Sequence, residues 1–439
     1  MAEIRPFRGV RYNQSKIKDL SKVLCPPYDI ISPAQQDELY NSSEFNFVRI
    51  EYNRETPQDN SQDNRYTRAL ANLGGWLEKG ILISEATPAF YVHLHHFTCQ
   101  GKSYQRQNIL AGVKLEEWDA GIVRPHENII PKARNDRLAM LNTCQANTSP
   151  VLAMYEDPQG IIRSTLEEQE KKTPAIDFID PWGERHQVWA VTDASAIKKI
   201  QGEIAKQPLY IADGHHRYDS ALGYKREKAA QTKDYTGNEG FNFVMTSLID
   251  FDDPGMVILP THRLVKGVSK SIMDGLYSQL EVYFKIDKIA LKDKAVWQKV
   301  DARLTGMAPE NLNTSLAVYG LDKENVLILT VKDQKAADKL MPAGHGELYR
   351  RLDVSLVDHI ILEKMVGYVK DREDVVLVYD HDRQACINKV KSGEFQMTFI
   401  LNPVNPRIIR GIADAADRMP RKSTYFYPKS PAGLVVHKW

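Results

Sequence analysis

Residues 211–218 read IADGHHRY, and the rest of the chain is best understood outward from them. The stretch leaves a short apolar run, Pro208–Ile211, and enters a pattern that predicts a helix over His215–Ala230. Between them Asp213-Gly214 makes the turn, where glycine lets the backbone fold sharply or approach a ligand closely. A helix start presents peptide N–H groups and the positive end of a dipole, which suits an anion such as a phosphate. His215, His216 and Arg217 add donors in the first turn, and a guanidinium can meet two phosphate oxygens at once. Asp213 either caps the helix or holds a metal ion that rides on the phosphates. Four polar groups in one turn cost helix propensity with no structural return, which favours a functional reading. A zinc ion shared by the two histidines is not expected, because adjacent helical side chains point about 100° apart.

Around this turn the chain alternates strand-like and helix-like segments, the pattern of a mixed α/β protein. Ser32-Pro33 opens one helix and Asn64–Lys79 forms another. Ala89–Cys99 and Ile109–Leu115 flank the turn signal Gln100-Gly101 and read as a hairpin. His93 and His95 share a face of its first strand. A metal pair is the sharper reading there, and solvated strand histidines are the expected one. Further helices are predicted near Asn135–Gln145, Gly160–Lys172, Ser269–Gln279, Lys292–Leu304 and Leu352–Val366. Strands are predicted near Val151–Tyr155, Phe241–Leu248, Met256–Leu259, Thr314–Tyr319, Asn325–Val331 and Asp374–Tyr379. The pattern restarts near 250–265. This divides the chain into a first domain over 1–255, a second α/β domain over 256–400 and a closing segment over 401–439 that returns to the cleft.

The bulk properties narrow the function. A net charge of +1 over 439 residues argues against a polybasic nucleic-acid surface. No run approaches the length of a membrane span, and the N-terminus has no apolar signal region, so a cytoplasmic protein is expected. The four cysteines, Cys25, Cys99, Cys144 and Cys386, are far apart and form no CxxC pair. That spacing argues against a disulfide framework or a zinc knuckle. Cys25-Pro26-Pro27-Tyr28-Asp29 is a rigid extended segment, and Cys25 has no histidine near it in sequence to make it a nucleophile.

Three further constellations carry chemistry. Arg124-Pro125-His126-Glu127 lies in a polar stretch, where Glu127 is either a general base for an alcohol or an ion-paired surface carboxylate. Pro260-Thr261-His262-Arg263 can add a cation to a cleft. The tail, Met419–Trp439, reads MPRKSTYFYPKSPAGLVVHKW. Its aromatic cluster and the closing Leu434–Val436 run predict an ordered docking segment. Lys422, Ser423 and Thr424 are either a decorative polar cluster on it or phosphate contacts.

Taken together, RPHE, DGHHR and the Lys-Ser-Thr tail resemble, in this order, the free-serine kinases of the ParB/sulfiredoxin superfamily. The full chain, with its CPPYD start and MPRKSTYFYPK ending, also resembles a bacterial family known as domain of unknown function 1015. The resemblance implies a ParB/sulfiredoxin-like catalytic core and a nucleotide-dependent phosphotransferase that uses ATP or ADP with Mg²⁺. Its substrate would be free serine or O-phosphoserine, in either direction. Glu127 would be the base, and Asp213 the acidic residue beside the phosphates and Mg²⁺. Gly214, His215, His216, Arg217, Lys422, Ser423 and Thr424 would hold the nucleotide. Arg124, His126, His262 and Arg263 would face the substrate. Glu127 and Asp213 stand 86 positions apart (213 − 127), and the chain is longer than those kinases. The rival readings are a ParB-like nucleotide switch, a sulfiredoxin-like activity that wants a reactive cysteine near the turn, and a metabolite sensor without turnover. No membrane partner is expected, and a homodimer is compatible with the sequence.

Overall fold

The hairpin signal at Gln100-Gly101 nucleates the largest element pair of the molecule. In the computed structural model, which describes residues 1–369 and 374–439, both residues of this turn take positive φ. They join β1 (Phe90–Cys99) to β2 (Lys102–Lys114). Along the chain follow β3 (Val151–Tyr155), β4 (Ile176–Ile179), β5 (Arg185–Val191), β6 (Leu209–Asp213) and β7 (Phe243–Asp250). They assemble in the order Val123–Arg124, β6, β3, β7, β2, β1, β5, β4. Most pairs are antiparallel, while β7 runs parallel to β3 and β6 parallel to Val123–Arg124.

This sheet is covered on both faces, which is why its strands are continuously apolar in places and do not alternate. One face packs Phe90, Val92 and Ile109 against α1 (Pro131–Cys144), α2 (His215–Gln231) and the helices Ile161–Glu170 and Ala194–Ile204. The other face packs Tyr91, Leu110 and Val188 against the N-terminal segments and the helix Arg65–Glu78. That helix opens on a full capping box in which the Asn64 side chain accepts from Thr67 N and the Thr67 hydroxyl accepts from Asn64 N. His93 and His95 are turned into this second face and are buried, at 2% and 1% exposed. The expected solvated strand histidines are therefore corrected: the pattern of one strand does not reveal a second covering layer.

The chain divides into two compact units. Unit 1 comprises residues 1–125, 129–257 and 428–439, and unit 2 comprises 126–128 and 258–427. Of the closing segment 401–439, residues 401–427 belong to unit 2 and the last twelve to unit 1 (439 − 427). In unit 1 the closing apolar run forms a strand, Val436–Lys438, between Gly9–Tyr12 and Ala146–Asn147. Ala432 also makes a β-bridge to Cys25.

Unit 2 has its own antiparallel sheet of β8 (His262–Lys266), β9 (Phe284–Ala290), β10 (Ser315–Tyr319), β11 (Asn325–Val331), β12 (Val376–Asp380) and β13 (Met397–Ile400). The order is β9-β11-β10-β13-β8-β12. Its core includes Leu264, Ala317, Ile328 and Ile387. The predicted helix at 292–304 shortens to Val296–Asp301, and the one at 352–366 continues as a π-helix over Leu356–Val366. None of the helices among the described residues is long and apolar enough to cross a membrane.

Candidate functional site

The strand-to-helix turn forms where the sequence places it, with a different internal wiring. Asp213 ends β6, and Gly214 occupies the cap position of α2 at φ 87° with no side-chain cap bond. Asp213 is thus not the helix cap. A side chain at 214 would need a strained left-handed backbone, and its Cβ would fall 2.8 Å from Arg217 Nε. The first bond within the helix is Tyr218 N–H to the Gly214 carbonyl, at 3.0 Å. The amides ahead of it belong to the positive, N-terminal end of α2.

Arg217 folds back beneath this turn. Its Nη2 donates to Asp213 Oδ2 at 2.6 Å, and its Nη1 donates to the Pro150 carbonyl. The other Asp213 oxygen accepts from Lys429 Nζ at 2.6 Å. Burial alone would raise the Asp213 pKa, but Lys429 and Arg217 outweigh it and hold the carboxyl well below the usual carboxylate range. Two cations on one carboxylate leave this trio with a net positive charge, at the positive end of a helix. An anion fits that setting.

A magnesium ion on Asp213 does not fit it. Both carboxylate oxygens are already bonded to cations, so a metal would have to displace one. In this structure Asp213 stands as the shared counter-ion of Arg217 and Lys429. Arg217, at 8% exposed, is bonded to two partners and braces the turn. His216 Nε2 accepts from Ile130 N at 2.9 Å, which fixes the start of α2 against the start of α1.

A second layer lies behind the turn. Glu51, buried, accepts from Ser149 Oγ at 2.9 Å and from Tyr28 N at 3.3 Å. Arg137 covers the Tyr28 ring with its guanidinium 3.7 Å from the centroid and bonds Asp136 through Nε at 2.7 Å. Burial would depress the Arg137 guanidinium, yet Glu51 and Asp136 outweigh this and hold it above its ordinary value. Arg217 behaves in the same way: burial works against its charge, and Asp213, then Asp29, Tyr28 and Glu51, restore it. Burial also pushes the Tyr28 phenol up. The CPPYD segment therefore belongs to the surroundings of this turn. Cys25 within it is buried, and burial next to Glu51 raises its thiol well above the ordinary value.

Most of the remaining expected residues lie in unit 2. His126 is fully buried, its Nε2 lies 3.2 Å from Thr424 Oγ1, and its carbonyl accepts from Met419 N at 2.8 Å. Ser423 Oγ donates to the Pro420 carbonyl at 2.6 Å, closing a turn in which Lys422 takes φ 55°. Arg263, on β8 and wholly buried, donates to the Lys422 carbonyl at 3.1 Å and the Arg421 carbonyl at 3.3 Å, and pairs with Asp358 at 3.2 Å. Arg263 thus supports the tail turn. His262 is likewise structural: its Nδ1 accepts from Leu401 N at 3.1 Å. In unit 1, Arg124 donates through Nε to the Gly121 carbonyl at 2.8 Å and lies over the Tyr210 ring.

Sequence reading missed Lys429, Glu51, Arg137 and the role of Tyr28-Asp29. Lys429 is 216 positions from Asp213, and no local pattern links them. The only signal was the DGHHR carboxylate itself, which needs a cation once it is buried.

The fold and turn together define a mixed α/β protein with an anion-suited strand-to-helix turn in unit 1. The chain belongs to the family described as protein of unknown function (DUF1015), whose profile matches residues 4–355. The MPRKSTYFYPK ending lies beyond that match. No curated protein sequence matches the chain significantly. Among solved structures it is similar to a conserved hypothetical protein from Pyrococcus furiosus, at 13% identity and TM-score 0.33, over 73% of this chain and 93% of that one. It is also similar to a free serine kinase in complex with AMP, at 13% identity and TM-score 0.34, over 73% and 89%. A third is SbnI from Staphylococcus aureus with a C-terminal truncation, at 10% identity and TM-score 0.32, over 73% and 84%. At such TM-scores the functional reading rests on the site's own chemistry.

Proposed function

We propose that this protein is a nucleotide-dependent phosphotransferase acting on free serine or O-phosphoserine, with ATP or ADP as the nucleotide. The observation that carries the reading is the DGHHR turn, whose one carboxylate is outnumbered by Arg217 and Lys429 at the N-terminal end of α2. Phosphoryl transfer asks a protein chiefly for positioning and for cations around the moving group. Here the N-terminal end of α2 binds the phosphates, and Lys429 and Arg217 supply the positive charge around it. Asp213 and Arg217 hold that arrangement in place. Glu127, matched to the base of the free-serine kinases by the RPHE motif, takes the proton from the alcohol or returns it in the reverse direction. Lys422, Ser423 and Thr424 are assigned to the nucleotide on the same motif-based footing. Arg124 and His126 are assigned to the substrate in the same way. No residue of the turn is assigned to Mg²⁺, which the nucleotide brings with it.

Calorimetric titration of ADP and ATP into the purified protein tests the phosphate half of this reading. The expected result is saturable binding that weakens on Lys429→Ala. Binding that is absent, or identical in that variant, removes the support.

A further inference from the structure

We propose that His93, His95 and His186 form a binding site for a borderline divalent transition-metal ion of the zinc class, separate from the DGHHR turn. The three side chains come from neighbouring strands. His93 and His95 alternate on β1, and His186 on β5 is in register with His95. All three are buried. One nitrogen from each lies within 4.8 Å of the others. The His93 Nε2 and His186 Nδ1 atoms are 3.0 Å apart.

The wiring around them is that of ligands held in place. His95 Nε2 lies 2.7 Å from Glu184 Oε2, and His186 Nε2 lies 3.6 Å from Asp180 Oδ2. Histidines that bind metal commonly place their other ring nitrogen on a carboxylate, which orients the ring. In His186 the nitrogen left for a metal is the Nδ1 facing His93. In His95 it is Nδ1, which is buried and has no hydrogen-bond partner. A buried polar atom left unsatisfied in a native core calls for an explanation, and a bound ion is one.

The chemistry agrees. Three imidazoles suit zinc, copper or nickel better than the oxygen-seeking cations. Burial lowers the pKa of His93, of His95 and of His186, and so keeps the rings in the neutral form that binds metal. Glu184 and Asp180 supply the negative charge a dication needs. They stand on the turn from β4 to β5, where Asp180 also accepts from the Glu184 amide at 2.8 Å. Arg106, buried beside the cluster, opposes a cation, and its charge is in turn offset by Asp253 and Glu184. Phe178 stacks on His186 and Phe97 lies tilted against His95, closing the site as structural metal sites are closed.

The competing account is a purely aromatic stack, since the His95 and His186 ring centroids are 4.0 Å apart. The full chain, stripped with a chelator, separates the two when titrated with Zn²⁺ by calorimetry and with Co²⁺ by visible spectroscopy. The proposal expects one tight site per chain, a higher melting temperature with Zn²⁺, and the visible bands of a nitrogen-ligated Co²⁺ ion. His186→Phe and His95→Phe, which preserve stacking, abolish that site. Glu184→Gln, at a half-buried position that tolerates the change, weakens it roughly 10- to 100-fold. Zn²⁺ binding that is absent from the parent protein, or unchanged in all three variants, overturns the proposal in favour of the aromatic stack.

Discussion

In unit 1 the DGHHR turn is tied by full charges: Asp213 between Arg217 and Lys429, with Glu51, Arg137 and Asp136 behind it. In unit 2 the Arg421–Thr424 turn is held by Ser423 on the Pro420 carbonyl and by the buried Arg263 on the Lys422 and Arg421 carbonyls, with His126 beside Thr424. The difference matters because removing one member of a buried ion pair leaves its partner uncompensated, whereas a neutral hydrogen bond contributes little net stability. Stability and anion binding should therefore be coupled at the first place. At the second, activity can be lost while the fold stays intact.

Four changes break or sharpen that contrast. The largest effect is expected from Glu127→Gln. If Glu127 is the base, phosphotransfer falls by about 10²- to 10⁴-fold while the melting temperature barely moves. A variant that unfolds would make Glu127 structural and erase the contrast. Asp213→Asn should cost about 3 kcal/mol of stability, read by denaturant unfolding, because Arg217 and Lys429 lose their shared counter-ion. Phosphate binding should change in the same variant. Gly214→Ala should cost about 1–2 kcal/mol for a left-handed alanine, in addition to pushing Arg217 aside.

The smallest effect is in pH. The Asp213 carboxyl is depressed in the folded protein. Its contribution is therefore fully present above the unfolded value of about 3.9 and is lost as pH falls below it. Unfolding free energy followed from pH 6 downward should be flat at first and then drop below about pH 4. Asp213→Asn should remove part of that drop.

The turn was legible in sequence because its signals are local: an apolar run, Asp-Gly, then a helix whose first residues are all donors. So was the β1–β2 hairpin, which depends on neighbours in the chain; the apolar run Leu434–Val436 signalled an ordered tail, but its strand partners Gly9–Tyr12 and Ala146–Asn147 are distant. What was illegible depended on distant partners. Asp213 read as a cap or metal ligand because Lys429 arrives from the far end of the sequence. Arg263 read as a cleft cation because nothing local shows that it lies on a buried strand under the tail turn. His93 and His95 read as solvated because only the assembled molecule reveals the layer that covers them.

The central claim is phosphoryl transfer, and phosphorus NMR of the purified protein tests it most directly. Two mixtures suffice: free serine with ATP or ADP in Mg²⁺ buffer, and O-phosphoserine with ADP or with no acceptor. The account predicts conversion in at least one direction, carried by one nucleotide and abolished in a folded Glu127→Gln variant. A folded protein that binds nucleotide and converts neither substrate, or a Glu127→Gln variant as active as the parent, would contradict it.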